Sequence, residues 1–198
     1  MKSIVVGLGR IGLPVSLVMA DSGIETIGVD SNEDLIESLN SGEAPFEEPG
    51  MFEILQAELN DRFFPVSWND ISADMLGDVE NMIITIGIHE LPFPKDADLS
   101  PLFGIIDEFG RLGILEGGMV IIRPTLPIGT TDLLIEHISD SFGIEVGVDY
   151  NIAYVPERLM EGRAIVEERS LPKCIGAATD RCFSRASELF SNVGGEII

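Results

Sequence analysis

Gly7-Leu8-Gly9-Arg10-Ile11-Gly12 follows the apolar run Ser3-Ile4-Val5-Val6 and opens the helix-like spacing Ile11, Val15, Val18, Met19. A second apolar run, Thr26-Ile27-Gly28-Val29, then ends in Asp30, 18 residues after Gly12. Strand, glycine turn, helix, strand and acid in that order are the signature of a dinucleotide-binding βαβ unit. Gly7 permits the tight turn out of the strand, Gly9 lets the backbone approach a pyrophosphate, and Gly12 lets the helix lie close on the sheet. The start of that helix offers unpaired N–H groups and partial positive charge to phosphates. Asp30 carries the choice of cofactor: a carboxylate there accepts from ribose hydroxyls and repels a 2′-phosphate, which favours NAD over NADP. Its plain alternative is a cap on the next helix, in competition with Ser31 and Asn32.

At 198 residues the chain can bury one sizeable core, or one core and a small appendage. No apolar run reaches the length that spans a bilayer, and Met1 leads straight into the first strand, so a soluble cytoplasmic protein without a secretory leader is expected. Twelve basic against 34 acidic residues give a net charge of −22, spread along the chain. That surface repels nucleic acid and anionic membranes, and neither is expected as a partner. Lys2, Lys95 and Lys173 are the only lysines, a composition suited to a salty cytoplasm that screens self-repulsion. Cys174 and Cys182 lack C-x-x-C spacing and read as reduced structural thiols, and no metal site is expected.

Apolar runs at 4–6, 26–29, 82–86, 119–122, 152–155 and 174–175 alternate with helical candidates at 11–21, 32–38, 50–60, 102–112, 130–142 and 181–191. The alternation predicts an α/β fold: a Rossmann-like, doubly wound, mostly parallel sheet with helices on both faces. Leu91-Pro92-Phe93-Pro94 reads as a loop. Ligands of such folds sit beyond the carboxyl ends of the strands, so the segments after Val6, Val29, Ile86, Ile122 and Val155 are the ones to inspect.

Four of those segments carry a family pattern. Gly7 to Pro14, Gly42-Glu43-Ala44-Pro45-Phe46-Glu47-Glu48-Pro49-Gly50, Pro124-Thr125-Leu126-Pro127-Ile128-Gly129-Thr130-Thr131, and Val155-Pro156-Glu157-Arg158-Leu159-Met160-Glu161-Gly162-Arg163-Ala164 stand in the order found in nucleotide-sugar 6-dehydrogenases. The chain resembles that family's N-terminal, NAD-binding domain from Met1 to about Gly176, with UDP-glucose, GDP-mannose and UDP-N-acetylmannosamine dehydrogenases as members. The resemblance implies two-step oxidation of a sugar C6 alcohol to a carboxylate, with two NAD and a cysteine thiohemiacetal that becomes a thioester. It implies that Thr125 helps hold the catalytic water and that Glu157 and Glu161 lie near water and substrate. Gly7, Gly9, Arg10, Ile11, Gly12, Asp30, Gly87 and Thr125 are then the cofactor contacts. A carboxylate beside a reactive water can take its proton or hold its orientation, and a threonine hydroxyl both donates and accepts. Without the family, Thr125 is a turn residue beside prolines, and Glu157 and Glu161, four apart, are a solvated helix face.

Two departures weaken the pattern. Ile86-Gly87-Ile88-His89 stands where the family carries Val-Gly-Thr-Pro or Val-Pro-Thr-Pro, so Ile88 removes a hydroxyl near the cofactor, and Pro124 removes another. His89 reads as an exposed loop residue, while Arg123 is placed to meet a phosphate or an acid such as Glu116. The family's catalytic lysine and asparagine lie on a central helix beyond this domain, and its nucleophilic cysteine lies farther on. Residues 1–198 are therefore expected to form the NAD-binding domain alone, binding NAD without turnover. Gly194-Gly195-Glu196-Ile197-Ile198 reads as the start of a last strand. Family dimers assemble through the central helix, so a homo-oligomer is an expectation for the full-length form. The alternatives are a β-hydroxyacid dehydrogenase-type NAD domain, a non-catalytic nucleotide-binding module, and a degenerate relative without ligand.

Overall fold

A computed structural model describes residues 1–91 and 96–198. Its elements in chain order are β1 Lys2–Val6, α1 Gly12–Asp21, β2 Glu25–Asp30, α2 Glu33–Asn40, α3 Met51–Glu58, β3 Phe63–Ser67 and a 3-10 turn at Trp68–Asp70. There follow α4 Ala73–Leu76, β4 Asn81–Ile84, β5 His89–Leu91, β6 Asp96–Asp98, α5 Ser100–Arg111 and β7 Met119–Ile122. The chain continues with α6 Thr130–Phe142, β8 Asn151–Tyr154, α7 Ala164–Ser170, β9 Gly176–Ala177 and α8 Asp180–Val193.

Seven strands form one sheet in the order β3-β2-β1-β4-β7-β8-β9, parallel except for the last pair. This is the doubly wound arrangement the alternation predicts, with an antiparallel edge added. The inner strands read as unbroken apolar runs because helices cover both faces. Val5, Ile83, Ile121 and Ala153 pair in register and enter one core with α1, α3, α7 and α8. Their neighbours Ile4, Met82, Val120 and Ile152 enter the other, beneath α5 and α6. Leu102, Ile105, Ile106 and Phe109 form the buried stripe of α5 at helical spacing.

Several elements differ from the sequence expectation. Strand β3 is hidden in sequence by Pro65, which breaks a central-strand pattern but is tolerated at the sheet edge where β3 lies. The last strand is β9, two residues beyond Cys174–Ile175, although Lys173 and Ile175 still exchange backbone bonds with residues 196–198. That pairing gives Gly194 to Ile198 the strand-like role read from sequence. Leu91 ends β5 of a small hairpin rather than entering a loop, while Pro92, Phe93, Pro94 and Lys95 lie outside the described residues. The His89 side chain lies outside them as well.

Candidate functional site

After β3 at the sheet's edge the chain crosses back to place β4 on the other side of β1, so β1 and β4 flank the switch point where such sheets open a crevice. Gly7 turns there with φ 95°, and its N–H donates to the Val29 carbonyl at 2.8 Å. The Thr85 hydroxyl, just past β4, lies 2.8 and 2.7 Å from the carbonyls of Val6 and Gly7 and pins the turn to the sheet. A Cβ on Gly12 would sit 1.7 Å from the Gly7 oxygen and 2.4 Å from Thr85 Oγ1. The constraint on Gly12 is thus its own turn and β4, a closer reason than general helix-on-sheet packing. A Cβ on Gly9 would meet nothing within 4 Å, so Gly9 borders open space. No side chain caps α1; the Leu13 N–H donates to the Gly9 carbonyl at 3.1 Å and Pro14 carries no N–H, which leaves the Gly12 N–H to an acceptor from outside.

Asp30 buttresses this loop. Its Oδ2 accepts from the Leu8 N–H at 2.7 Å and its Oδ1 from the Asn32 N–H at 2.9 Å. The cap of α2 is Asn32, which accepts from the Leu35 N–H at 3.2 Å, so Asp30 is not that helix's cap. Two carboxylate oxygens offer about four acceptor positions, so two remain for ribose hydroxyls. Gly7, Gly9, Asp30, Trp68, Gly87 and Arg111 border a cleft of about 630 Å³. The open face at Gly9, the uncapped helix and the free acceptor capacity of Asp30 fit a dinucleotide.

Thr85, Ile86 and Gly87 also form one wall of a second hollow, of about 220 Å³, whose other walls include Ile11, Arg123, Thr125 and Glu157. Thr125 and Glu157, 32 positions apart in sequence, are therefore brought together beside the cleft. Ile88 and Pro124, the two departures from the family pattern, line the same hollow and make part of it apolar. Glu161 stands elsewhere. It is exposed and ion-paired with Arg10, whose guanidinium lies 5.2 Å from the Phe46 ring, and these residues border a third hollow of about 170 Å³. Glu157 and Glu161 lie in a loop and turn before α7, so they share no helix face.

That loop is held by groups the sequence reading did not assign. Glu48 accepts from the N–H groups of Gly162 and Ala164, each at 2.8 Å, and so caps α7 from another segment of the chain. Arg123 does not meet Glu116; both its Nη atoms donate to Glu168 at 3.0 Å, with Lys173 Nζ 3.3 Å from the same carboxylate. The pair is buried, at 2% and 0% exposure. Burial pushes the Glu168 carboxyl up, but the charges and hydrogen bonds of Arg123 and Lys173 together outweigh it and hold the carboxyl below its ordinary range. Burial also drives the Lys173 ammonium down, only partly countered by Glu168. Thr85 was findable as the residue ending a buried strand at the switch point; Glu48 and Glu168 carry no local signal. Cys182 is buried and Cys174 half-buried, both as free thiols.

A sequence model of the UDP-glucose/GDP-mannose dehydrogenase family, NAD binding domain, matches residues 1–194. The chain belongs to this family. Its cofactor is NAD, in agreement with Asp30 at the end of β2. The UDP-N-acetyl-D-mannosamine dehydrogenase of Escherichia coli K12 is 31% identical over 196 residues, 94% of this chain and 44% of its own length. The enzyme of the same name from Pyrococcus horikoshii is 32% identical over 199 residues, 100% of this chain and 46% of its own. A solved structure titled as the Pyrococcus horikoshii enzyme superposes at a TM-score of 0.91 with 30% identity, covering 100% of this chain and 46% of that one. A ternary complex of GDP-mannose dehydrogenase from Pseudomonas aeruginosa gives 0.83 with 26% identity, again covering 100% and 46%. The chain thus spans less than half the length of the relatives it matches. Among the described residues no helix is long and apolar enough to cross a membrane.

Proposed function

We propose that residues 1–198 form the cofactor half of an enzyme that oxidises the C6 alcohol of a nucleotide sugar to a carboxylate, and that this half alone binds NAD without turnover. The observation that carries the proposal is the shared wall of Thr85, Ile86 and Gly87, which sets Thr125 and Glu157 directly beside the nucleotide cleft. Bound NAD supplies a hydride acceptor. Gly7, Gly9, Gly12 and the first turn of α1, with Arg10 and Ile11, receive its phosphates; Asp30 takes the adenosine ribose, and Gly87 and Thr125 border the reacting end. The Glu157 carboxylate takes a proton from, or orients, a water that the Thr125 hydroxyl also holds. Glu161, through Arg10, ties the substrate-side loop to the glycine turn. The two relatives above act on UDP-N-acetyl-D-mannosamine by name, which makes a UDP-linked sugar the substrate to try first. A homo-oligomer belongs to the full-length form, and the cytoplasm is the expected location.

A chimera joining this chain to the remaining half of the Pyrococcus horikoshii relative tests the reading, with NADH formation from UDP-N-acetylmannosamine as the assay. Thr125→Val and Glu157→Gln are expected to lower kcat about 10²-fold or more, with the NAD affinity little changed. Unchanged kcat in both would refute the assigned roles.

A further inference from the structure

Ile11 is a wall of two hollows at once, the one that holds Thr125 and Glu157 and the smaller one, of about 170 Å³, beside Phe46 and the loop before α7. The smaller hollow takes its apolar lining from Ile11, Phe46, Leu159 and Ala164. Its charged groups are unequally occupied. Glu48 is fully engaged, since its two oxygens accept from the N–H groups of Gly162 and Ala164 at 2.8 Å each. Arg10 and Glu161 are 60% and 70% exposed and pair through Nη1 and Oε1 alone. Nε and Nη2 of Arg10 therefore remain as donors, and Oε2 of Glu161 as an acceptor. The Arg10 guanidinium lies 5.2 Å from the Phe46 ring, so these donors stand at the edge of the apolar wall.

This lining selects by chemistry. A carboxylate or phosphate would face Glu161 and an ammonium would face Arg10, whereas a neutral group leaves the ion pair intact. Such a group needs an acceptor for the Arg10 N–H, a donor for the Glu161 oxygen and a small apolar end for the side of Phe46 and Leu159. A secondary amide that ends in a methyl meets all three conditions. A hydroxyl meets only the polar ones and leaves the apolar part of the hollow to water. We propose that this hollow receives the acetamido group of an N-acetylated nucleotide sugar, and that Arg10, Phe46 and Glu161 select such sugars over those with a hydroxyl in its place. The inference rests on the C6 oxidation assigned above to the neighbouring hollow. In a pyranose, C5, which bears C6, stands across the ring from C2, where an amino sugar carries its acetamido group. Two hollows that share the Ile11 wall accommodate both ends of one sugar.

Two measurements test the proposal. In the chimera, kcat/KM is compared for UDP-N-acetylmannosamine and UDP-mannose, and the acetylated sugar should lead by about tenfold or more. Ala164→Leu, which fills the hollow, and Phe46→Ala, which removes a wall, should each shrink that lead about tenfold. On the 198-residue chain itself, saturation-transfer NMR with free N-acetylmannosamine should mark the acetyl methyl, and the signal should fall in both variants. Equal kcat/KM for the two sugars, a lead that survives both variants, or a methyl that receives no saturation would overturn the proposal. The wild-type comparison and spectrum need no variant to fold. If the chimera oxidises neither sugar while the methyl is marked, the C6 oxidation fails and the acetamido site stands. If the chimera oxidises both sugars equally well, the acetamido site fails and the C6 oxidation stands.

Discussion

Around β1 and β2 the rim of the sheet is shaped by backbone, whereas around β7 and β8 it is fixed by charged side chains drawn from distant parts of the chain. The glycine turn closes through Gly7, Gly12 and the Thr85 hydroxyl, and its one carboxylate, Asp30, serves two nearby N–H groups. The Glu157 and Glu161 loop is held instead by Glu48, by Arg10, and through Arg123 by Glu168, partners 114, 151 and 45 positions apart. A binding surface made of backbone is rigid and tolerates almost no side-chain change. One made of buried ion pairs depends on every partner being present, since a lost partner leaves a charge stranded.

The largest effect should come from that second region. Glu168→Ala leaves Arg123 and Lys173 buried without their carboxylate and is expected to cost about 3–5 kcal/mol in denaturant unfolding. The acid side of the stability profile follows from the same group. A carboxyl held below its ordinary 4.5 stabilises the fold above that pH, and the contribution drains away as the pH falls through the folded value. Lys173, also pushed down, adds a cost that is present at neutral pH and fades as the pH rises from its folded value toward its ordinary 10.5, so both groups make stability rise with pH. Glu168→Gln should flatten the acid limb; an acid limb identical to wild type would show that the buried pair does not set it.

Next come two glycines that separate fold from ligand. Gly12→Ala forces a Cβ into the Gly7 carbonyl and should cost about 3 kcal/mol, together with NADH binding. Gly9→Ala meets nothing in the protein, so stability should stay within about 0.5 kcal/mol while NADH affinity falls about tenfold. Equal behaviour of the two variants would erase the distinction between a glycine the fold needs and one the ligand needs. Asp30→Ala lies between them. It should lose about 1–2 kcal/mol of stability, because the Leu8 and Asn32 N–H groups lose their acceptor, and about tenfold or more in NADH affinity.

The same contrast decides what the sequence could show. Backbone requirements are written locally: the glycine spacing, Asp30 and the apolar runs placed α1, β1, β2, β4, β7 and β8 close to their observed bounds, and 130–142 coincides with α6. Strand β3 escaped because Pro65 is acceptable only at an edge, and edges are a property of the whole sheet. Helix α7 escaped because it has seven residues, two of which, Glu167 and Glu168, are buried acids, and the Arg123 partner of Glu168 lies 45 positions away. The convergence of Thr125 with Glu157, and the separation of Glu161 into its own hollow, are set by the order of β7 and β8 and by Glu48 capping α7. No spacing rule contains that information.

The most direct test of the account is calorimetric titration of the chain with NADH and with NADPH, in low and in molar salt. The account predicts saturable NADH binding in both salts, at least about tenfold tighter than NADPH, because Asp30 repels a 2′-phosphate. A folded chain that binds neither, or that binds NADPH as well as NADH, would contradict it.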